Sequence, residues 1–476
     1  MALTKVTYSM IAGAVANVLD FGADASGATN STVAIQAALN SGTGAVYFPA
    51  GVYTITSLTV PDYVSIIGES PVTTLIRTSS ATANVLTCGI SVEIKNVKIS
   101  SSVTRTTGFY VKADNNGFLI ENCELENYYI GVSVGTVGNP VTVNARVFNC
   151  AFRSSNIASG SGAVQFLNFS NAQISNCVIT GTTISTLQPD FGIRFQNGDT
   201  AFVTDCNVTV HGKALNVDTP ASLNCYALTI VSCVFDSAHQ GFGGVAVPSA
   251  SFFATGNIYN TRISNCWFGL ASTKSGCTLE TTGAGVIDGI IFTGCEFTDN
   301  GESGLLASGA NVKNWIVTGG HSSGNAGSGI RAGSATTLFN ITGHIAGPVA
   351  NRGANNIGIS VDVGASNGYV IADNIVIGNT TASIFDGGTG VAARVVNNEG
   401  YNGVANASAI VVGASPFTYT AGHSPETIYI QGGTGLNVSL DAVTIFTTTG
   451  VTVQLLPNES TTIGYSTIPT VVKKIN

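Results

Sequence analysis

The chain has 476 residues, of which 9% are charged and 44% hydrophobic, and its formal net charge is −8. So long a chain exceeds one ordinary compact core, and so apolar a chain has the surface to fold, which excludes a disordered or acid-rich protein. A net-acidic chain without a Lys/Arg cluster is no nucleic-acid or anionic-membrane binder, and no run reaches the roughly 18 apolar residues that membrane insertion needs.

The N-terminus, MALTKVTYSMIAGAVANV, carries Lys5, a short apolar run and an Ala14-x-Ala16 pattern. Thr7, Tyr8 and Ser9 interrupt that run, so no signal peptide is expected. Next comes VLDFGADASGATNSTVAIQAALNSGTGAVYFPAGVYTI, Val18 to Ile55. Within it, Ser31–Leu39 carries Val33, Ile35, Ala38 and Leu39, with Asn30 or Ser31 as N-cap, and predicts one short amphipathic helix. Such a helix fits as a lid over the open edge of a β structure.

A repeat dominates the rest. FLIENCEL, ARVFNCAF, AQISNCVI, AFVTDCNV, LTIVSCVF, TRISNCWF and IIFTGCEF place Cys at 123, 150, 177, 206, 233, 266 and 295, at intervals of 27 to 33 residues. Extended both ways, the register gives about thirteen units averaging near 27 residues. Within a unit, Ile174 and Asn176 share one strand phase, whereas Cys177 and Ile179 are one residue out of it. The slip marks a corner, and Asn suits a corner because it tolerates left-handed backbone. Short strands with fixed corners at this period describe one coil of a parallel β-helix. The cysteines then form an internal ladder of small apolar side chains, with disulfides as the rival reading.

A second ladder runs through Ile130, Val164, Ile193, Leu215, Val245, Val286, Leu305, Ile330 and Ile359, often preceded by Gly. The glycines mean either a flat outer groove for an extended ligand or a tight bend before the strand. After Asn402 the period stops, and alternating strands with Gly-Gly and Thr-Gly turns predict a small antiparallel sandwich.

The stretch VLDFGA…TNSTVAIQAAL…AVYFPAGVYTI resembles the opening motif of the pectate-lyase-like, right-handed parallel β-helix superfamily, and the chain is most similar there to bacteriophage tailspikes. KVTYSMI before the motif is similar to the start of many tailspike and tail-fibre chains. Asn30 and Ser31 depart from the family's acidic version of the motif. The resemblance implies an all-β chain: an attachment peptide (1–17), a capping helix with first strands (18–60), a parallel β-helix (61–403) and a β-rich trimerisation domain (404–476). It also implies a homotrimer in the virion tail, docked through its N-terminus on a tail adaptor or baseplate protein. The implied ligand is a bacterial surface polysaccharide, capsule or O-antigen, which the protein binds and, in the expected case, depolymerises; a non-catalytic receptor-binding spike and a secreted polysaccharide lyase are the alternatives. No cofactor and no metal are expected.

Glycoside hydrolysis needs two carboxylates, about 5 to 10 Å apart, and is expected here ahead of lyase chemistry. Counted from the second ladder, Asp190, Gly192, Arg194 and Gln196 point outward, with Asn216 and Asp218 on the next coil. Asp236 and His239 follow Cys233 in the longest interval; Trp267 follows Cys266, and Glu280 falls in the next unit. Asp190, Asp218 and Asp236 are therefore the candidate catalytic carboxylates, and Arg194, Gln196, Asn216, His239, Trp267 and Glu280 the candidate substrate-binding residues. Each has a bland counterpart: Arg194 pairs with Asp190 as an ordinary ion pair, Trp267 is buried beside Phe268, and Asp205 is a corner residue.

Overall fold

The structure is a computed structural model that describes residues 15–154, 156–181, 188–238, 246–349, 351–364, 366–403 and 407–476. It divides into one unit through Ile290 and a second from Ile291. The attachment peptide, apart from residues 15–17, lies outside the described residues.

The first unit is a right-handed parallel β-helix. Each coil gives strands to three sheets, numbered I to III in the order the chain visits them. One coil shows the logic. Phe169–Ser175 lies in sheet I, the chain turns at Asn176, Val178–Gly181 lies in sheet II, Phe191–Phe195 in sheet III, and Gly198–Thr204 returns to sheet I. The register holds from coil to coil: Ile174 sits opposite Val203, Ile179 opposite Val208, and Ile193 opposite Leu215. Counted over both units the turns come to about fourteen, close to the repeat count.

The corners are where the phase slip put them. Asn122, Asn149, Asn176, Asp205, Ser232 and Asn265 have φ between 49° and 54°, the left-handed region that Asn and Asp tolerate best. Asn122 Nδ2 also donates to Asn96 Oδ1 of the coil before, at 2.7 Å. Asp205 is thereby a corner residue. The seven ladder cysteines stand just inside such corners, while Cys88, Cys225 and Cys277 lie in strands elsewhere; all ten are buried and none is in a disulfide. The Cys177 thiol donates to Ser175 O at 3.3 Å and reaches Val147 O at 3.7 Å, so burial leaves no polar S–H without an acceptor.

The ladder holds only in part: Ile130 stands opposite Gly162, Val286 belongs to sheet I opposite Asn257, and Val245 lies outside the described residues. At Gly192, Gly304, Gly329 and Gly358 the glycine marks the tight bend. A Cβ on Gly192 would stand 2.2 Å from Val208 Cγ1 and 2.6 Å from Ala214 O; one on Gly131 would meet Ala163 O at 2.6 Å and the Phe152 ring at 3.0 Å. Both directions lead into the core. Gly192 and buried Ile193 therefore face inward consecutively, and the outward set before the bend shifts by one residue.

At the start of the unit, Thr32–Leu39 is the helix. Ile35, Ala38 and Leu39 are buried, whereas Val33 is exposed and takes no part in the lid face. Asn30 Oδ1 accepts from Thr32 N, while Ser31 Oγ accepts from Asp24 N instead of capping. Gln36 reaches the edge strand Leu58–Val60, donating to Thr59 O at 2.8 Å and accepting from Thr59 N at 2.9 Å. One side-chain amide thus substitutes for a neighbouring strand.

The second unit contains further parallel coils and the C-terminal domain. Its coils are lined by a stacked series, Trp315, Phe339 and Tyr369, with centroids 4.6 and 4.8 Å apart. At another corner buried asparagines stack: Asn300 donates to Asn325 and Asn325 to Asn355, at 2.9 and 2.7 Å. The C-terminal domain is a pair of four-stranded antiparallel sheets around Ile428, Ile430, Val438, Val453, Leu455 and Ile463, the expected sandwich. It closes onto the last coil strand, Arg394–Val396, through Ser424 Oγ to Val395 O and Asn458 Nδ2 to Ala393 O. His423 Nδ1 faces Asp386 Oδ2 at 2.7 Å and Nε2 faces Gly390 O at 2.9 Å. A carboxylate and a carbonyl facing the two ring nitrogens favour the imidazolium, and the Asp386 hydrogen bond holds the His423 pKa above its ordinary value.

Candidate functional site

The outward side of sheet III in the first unit carries the densest set of predicted residues. Its strands put Ser133, Gln165, Arg194, Asn216, Ser251 and Thr278 in one row, opposite one another from coil to coil. Strand alternation points this row away from Val132, Val164 and Ile193. Yet Ser133, Gln165, Asn216, Ser251 and Thr278 are buried. Such a row is a polar floor withdrawn from solvent, and the hydroxyl of Thr278 there has no hydrogen-bond partner.

On this floor Arg194 clasps Asp218 at two points, Nε to Oδ1 at 2.9 Å and Nη2 to Oδ2 at 2.6 Å. Gln196 Nε2 adds a third donor to Asp218 Oδ2 at 3.3 Å. The geometry follows from register: Arg194 lies opposite Asn216, so its long side chain reaches diagonally to the residue two further on. With both oxygens accepting, Asp218 is bonded as a carboxylate and not as a carboxylic acid. Arg194 therefore pairs with Asp218, not with Asp190. Asp190 accepts from the backbone N of Gly160. Glu280 stands two coils along from Asp218, with Phe253 between them in register.

Three further residues belong here that sequence reasoning missed. Lys213 Nζ reaches Asn216 Oδ1 at 3.4 Å. Burial pushes its ammonium pKa down, and Asp218, Glu280 and Asp190 nearby pull it back up. Phe191 packs under Arg194, whose guanidinium carbon is 5.6 Å from the ring centroid. Tyr129 donates to Ser159 O at 2.6 Å; burial raises its phenol, with Asp190 adding to the rise. Strict alternation from Leu215 and Ile193 places Lys213 and Phe191 inward, and the bend at Gly192 and Ala214 reverses them.

The remaining candidates lie elsewhere. Asp236 ends the sheet II strand Val234–Asp236, opposite Thr209 and Gly269. Trp267 is also on sheet II, half-buried on its outer side opposite Val234, not in the core beside Phe268. Neither shares the sheet III floor. His239 lies outside the described residues. Among the described residues no group of His, Cys, Asp or Glu is arranged to hold a metal ion.

Comparison with known proteins places this geometry in context. Residues 15–243 match the family model for rhamnogalacturonase A/epimerase, pectate lyase-like. Among solved structures, a mutant tailspike protein of E. coli bacteriophage HK620, in complex with a pentasaccharide, superposes with TM-score 0.53 at 9% identity, covering 96% of this chain and 93% of that one. Bacteriophage CBA120 tailspike protein 3 gives TM-score 0.50 at 14% identity over 85% of this chain and 65% of its own. The mannuronan C-5 epimerase AlgE6 A-module of Azotobacter vinelandii gives 0.45 at 15% identity, covering 81% and 98%. None of the curated proteins matches the chain in sequence.

Proposed function

We propose, from the match of residues 15–243 to a pectate lyase-like family model and from the parallel β-helix fold, that this chain is a phage tailspike that binds a bacterial surface polysaccharide, capsule or O-antigen, and depolymerises it. The observation that carries the reading is the Arg194–Asp218 clasp on the buried polar floor of sheet III. Half-buried Arg194, Gln196, Asp218 and Glu280 stand on this floor and offer a glycan polar partners on successive coils. Asp218 fits the role of base or nucleophile, and a proton donor would come from Asp190 or Lys213. Hydrolysis is favoured over β-elimination because the site gathers three carboxylates, Asp190, Asp218 and Glu280, which would repel the uronate that a lyase must hold. By the same reading the protein works as a homotrimer in the virion tail and docks through its N-terminal segment on an adaptor or baseplate protein.

One observation favours a second reading. An aspartate fully engaged by Arg194 and Gln196 is also what a rigid, non-catalytic binding face would contain. Incubation with purified capsule or O-antigen decides between them. New reducing ends without ultraviolet absorbance mean hydrolase; absorbance of an unsaturated uronate means lyase. A glycan that is bound and left intact establishes the receptor-only spike and ends the depolymerase reading.

A further inference from the structure

The clasp on sheet III recurs. In the second unit Arg331 lies opposite Ser360, and its guanidinium reaches the residue two further on, Asp362. Nε stands 3.1 and 3.2 Å from the two carboxylate oxygens, and Nη2 is 2.9 Å from Oδ2. This is the lattice position of Arg194, Asn216 and Asp218, reproduced on different coils. Here the clasp borders a groove of about 480 Å³ lined by Glu302, Asn356, Ser360 and Phe385 as well. Ser360 and Ser328 are buried and bonded to each other at 2.8 Å, so this floor too is polar and withdrawn.

We propose that this groove is a second saccharide-binding site, one that takes a neutral sugar unit. Phe385 stands opposite Ser360 on the next strand and leaves 43% of its surface open. Its ring passes close to Gly387, where an added Cβ would come within 2.9 Å of Cε1, so the glycine leaves room for it. An aromatic plate beside a few fixed polar groups is the arrangement that seats the apolar face of a hexopyranose and reads its hydroxyls. Asp362 has four lone-pair positions, and the clasp leaves acceptors over for sugar hydroxyls. The charges decide the class of sugar. Arg331 is the cation of the groove, already committed to Asp362, and Glu302 adds a second carboxylate. A uronate or sulfated unit would meet net negative charge without an uncommitted cation, whereas a neutral hexose meets hydrogen-bonding groups alone.

The site goes beyond the proposed depolymerase and stands whether or not the first-unit site is catalytic. Its test uses the full chain carrying Arg194→Ala, which disables the first-unit clasp. This chain is presented with neutral gluco-, galacto- and manno-oligosaccharides of four to six units, and with oligogalacturonate. Retention of at least one neutral oligosaccharide is expected, weakened about tenfold by Phe385→Ala or Asp362→Asn and restored in Phe385→Trp, with the melting transitions of both Phe385 variants unchanged. The proposal is overturned if no neutral oligosaccharide is retained, if retention ignores both substitutions, or if oligogalacturonate is preferred. Product formation by the unmodified chain reports separately on the first-unit site, so the two readings fail independently.

Discussion

Arg194 and Asp218 sit on neighbouring coils, 24 residues apart in sequence, and meet through two hydrogen bonds of 2.9 and 2.6 Å. Both side chains are about one quarter exposed. Arg194→Ala leaves Asp218 with Gln196 as its neighbouring donor, and should lower stability by about 1 to 3 kcal/mol. Arg194→Lys should recover only part of this, since a single ammonium cannot make the two-point contact. Urea unfolding midpoints of the three chains measure the effect; equal midpoints would show that the clasp is energetically idle.

For activity, Asp218→Asn and Asp190→Asn should each abolish glycan cleavage while keeping glycan binding. Glu280→Gln, two coils away, should weaken turnover less than either. Full cleavage by both Asn variants would move the chemistry off sheet III.

The bend glycines make a sharp contrast. Gly192→Ala drives a Cβ to 2.2 Å from Val208 Cγ1 and should cost about 1 to 3 kcal/mol by overpacking. Gly44→Ala, where nothing lies within 4 Å, should stay within about 0.5 kcal/mol of the parent. Thermal shifts of the two variants are the measurement, and similar shifts would refute the tight-bend assignment.

Two kinds of histidine predict opposite pH responses. His423 has a raised pKa in the folded chain, so its contribution is complete below the unfolded value near 6.5 and is lost as pH rises through the folded value. The closure of the C-terminal domain should therefore loosen above neutrality, and His423→Gln should remove that dependence. His211 and His344 are buried, which lowers each to about 4. Unfolding lets them take up protons between about pH 6.5 and 4, so they withdraw stability as pH falls there, by up to about 1.4 kcal/mol per pH unit each. Melting curves across pH 4 to 9 resolve both arms. A His423→Gln chain with an unchanged alkaline arm would contradict the first.

The thiol ladder predicts silence. All ten cysteines are buried, out of reach of a reagent in solution, and in Cys88 and Cys225, outside the ladder, burial also raises the thiol pKa. A disulfide-exchange reagent should titrate no thiol in the native chain and ten after denaturation, and a reductant should leave the melting temperature unchanged.

The coil plan was legible because each corner needs one left-handed residue followed by one small buried residue. Asn176–Cys177 and its equivalents repeat that pair at a near-constant interval. Arg194, Gln196, Asn216 and Asp218 were legible by the same lattice. Lys213 and Phe191 were not, because two consecutive inward residues at the bend break the alternation on which that counting rests. Arg331 and Asp362 stand at the same offsets from Ile330 and Ile359 as Arg194 and Asp218 do from Ile193 and Leu215. No long interval between cysteines marks those coils, so the spacing does not set them apart. The partners of His423, Asp386 and Gly390, lie 37 and 33 residues away and carry no periodic signal.

The amide of Gln36, bonded to both main-chain groups of Thr59, has a consequence for polymerisation. Stacked parallel strands are also the architecture of amyloid, in which every exposed end templates another molecule. Here two atoms of one side chain occupy the positions that an incoming strand would need at that residue, and the helix bearing them covers the approach. That end of the stack is thus a terminated fibril tip, and the number of coils is set by the sequence and not by concentration.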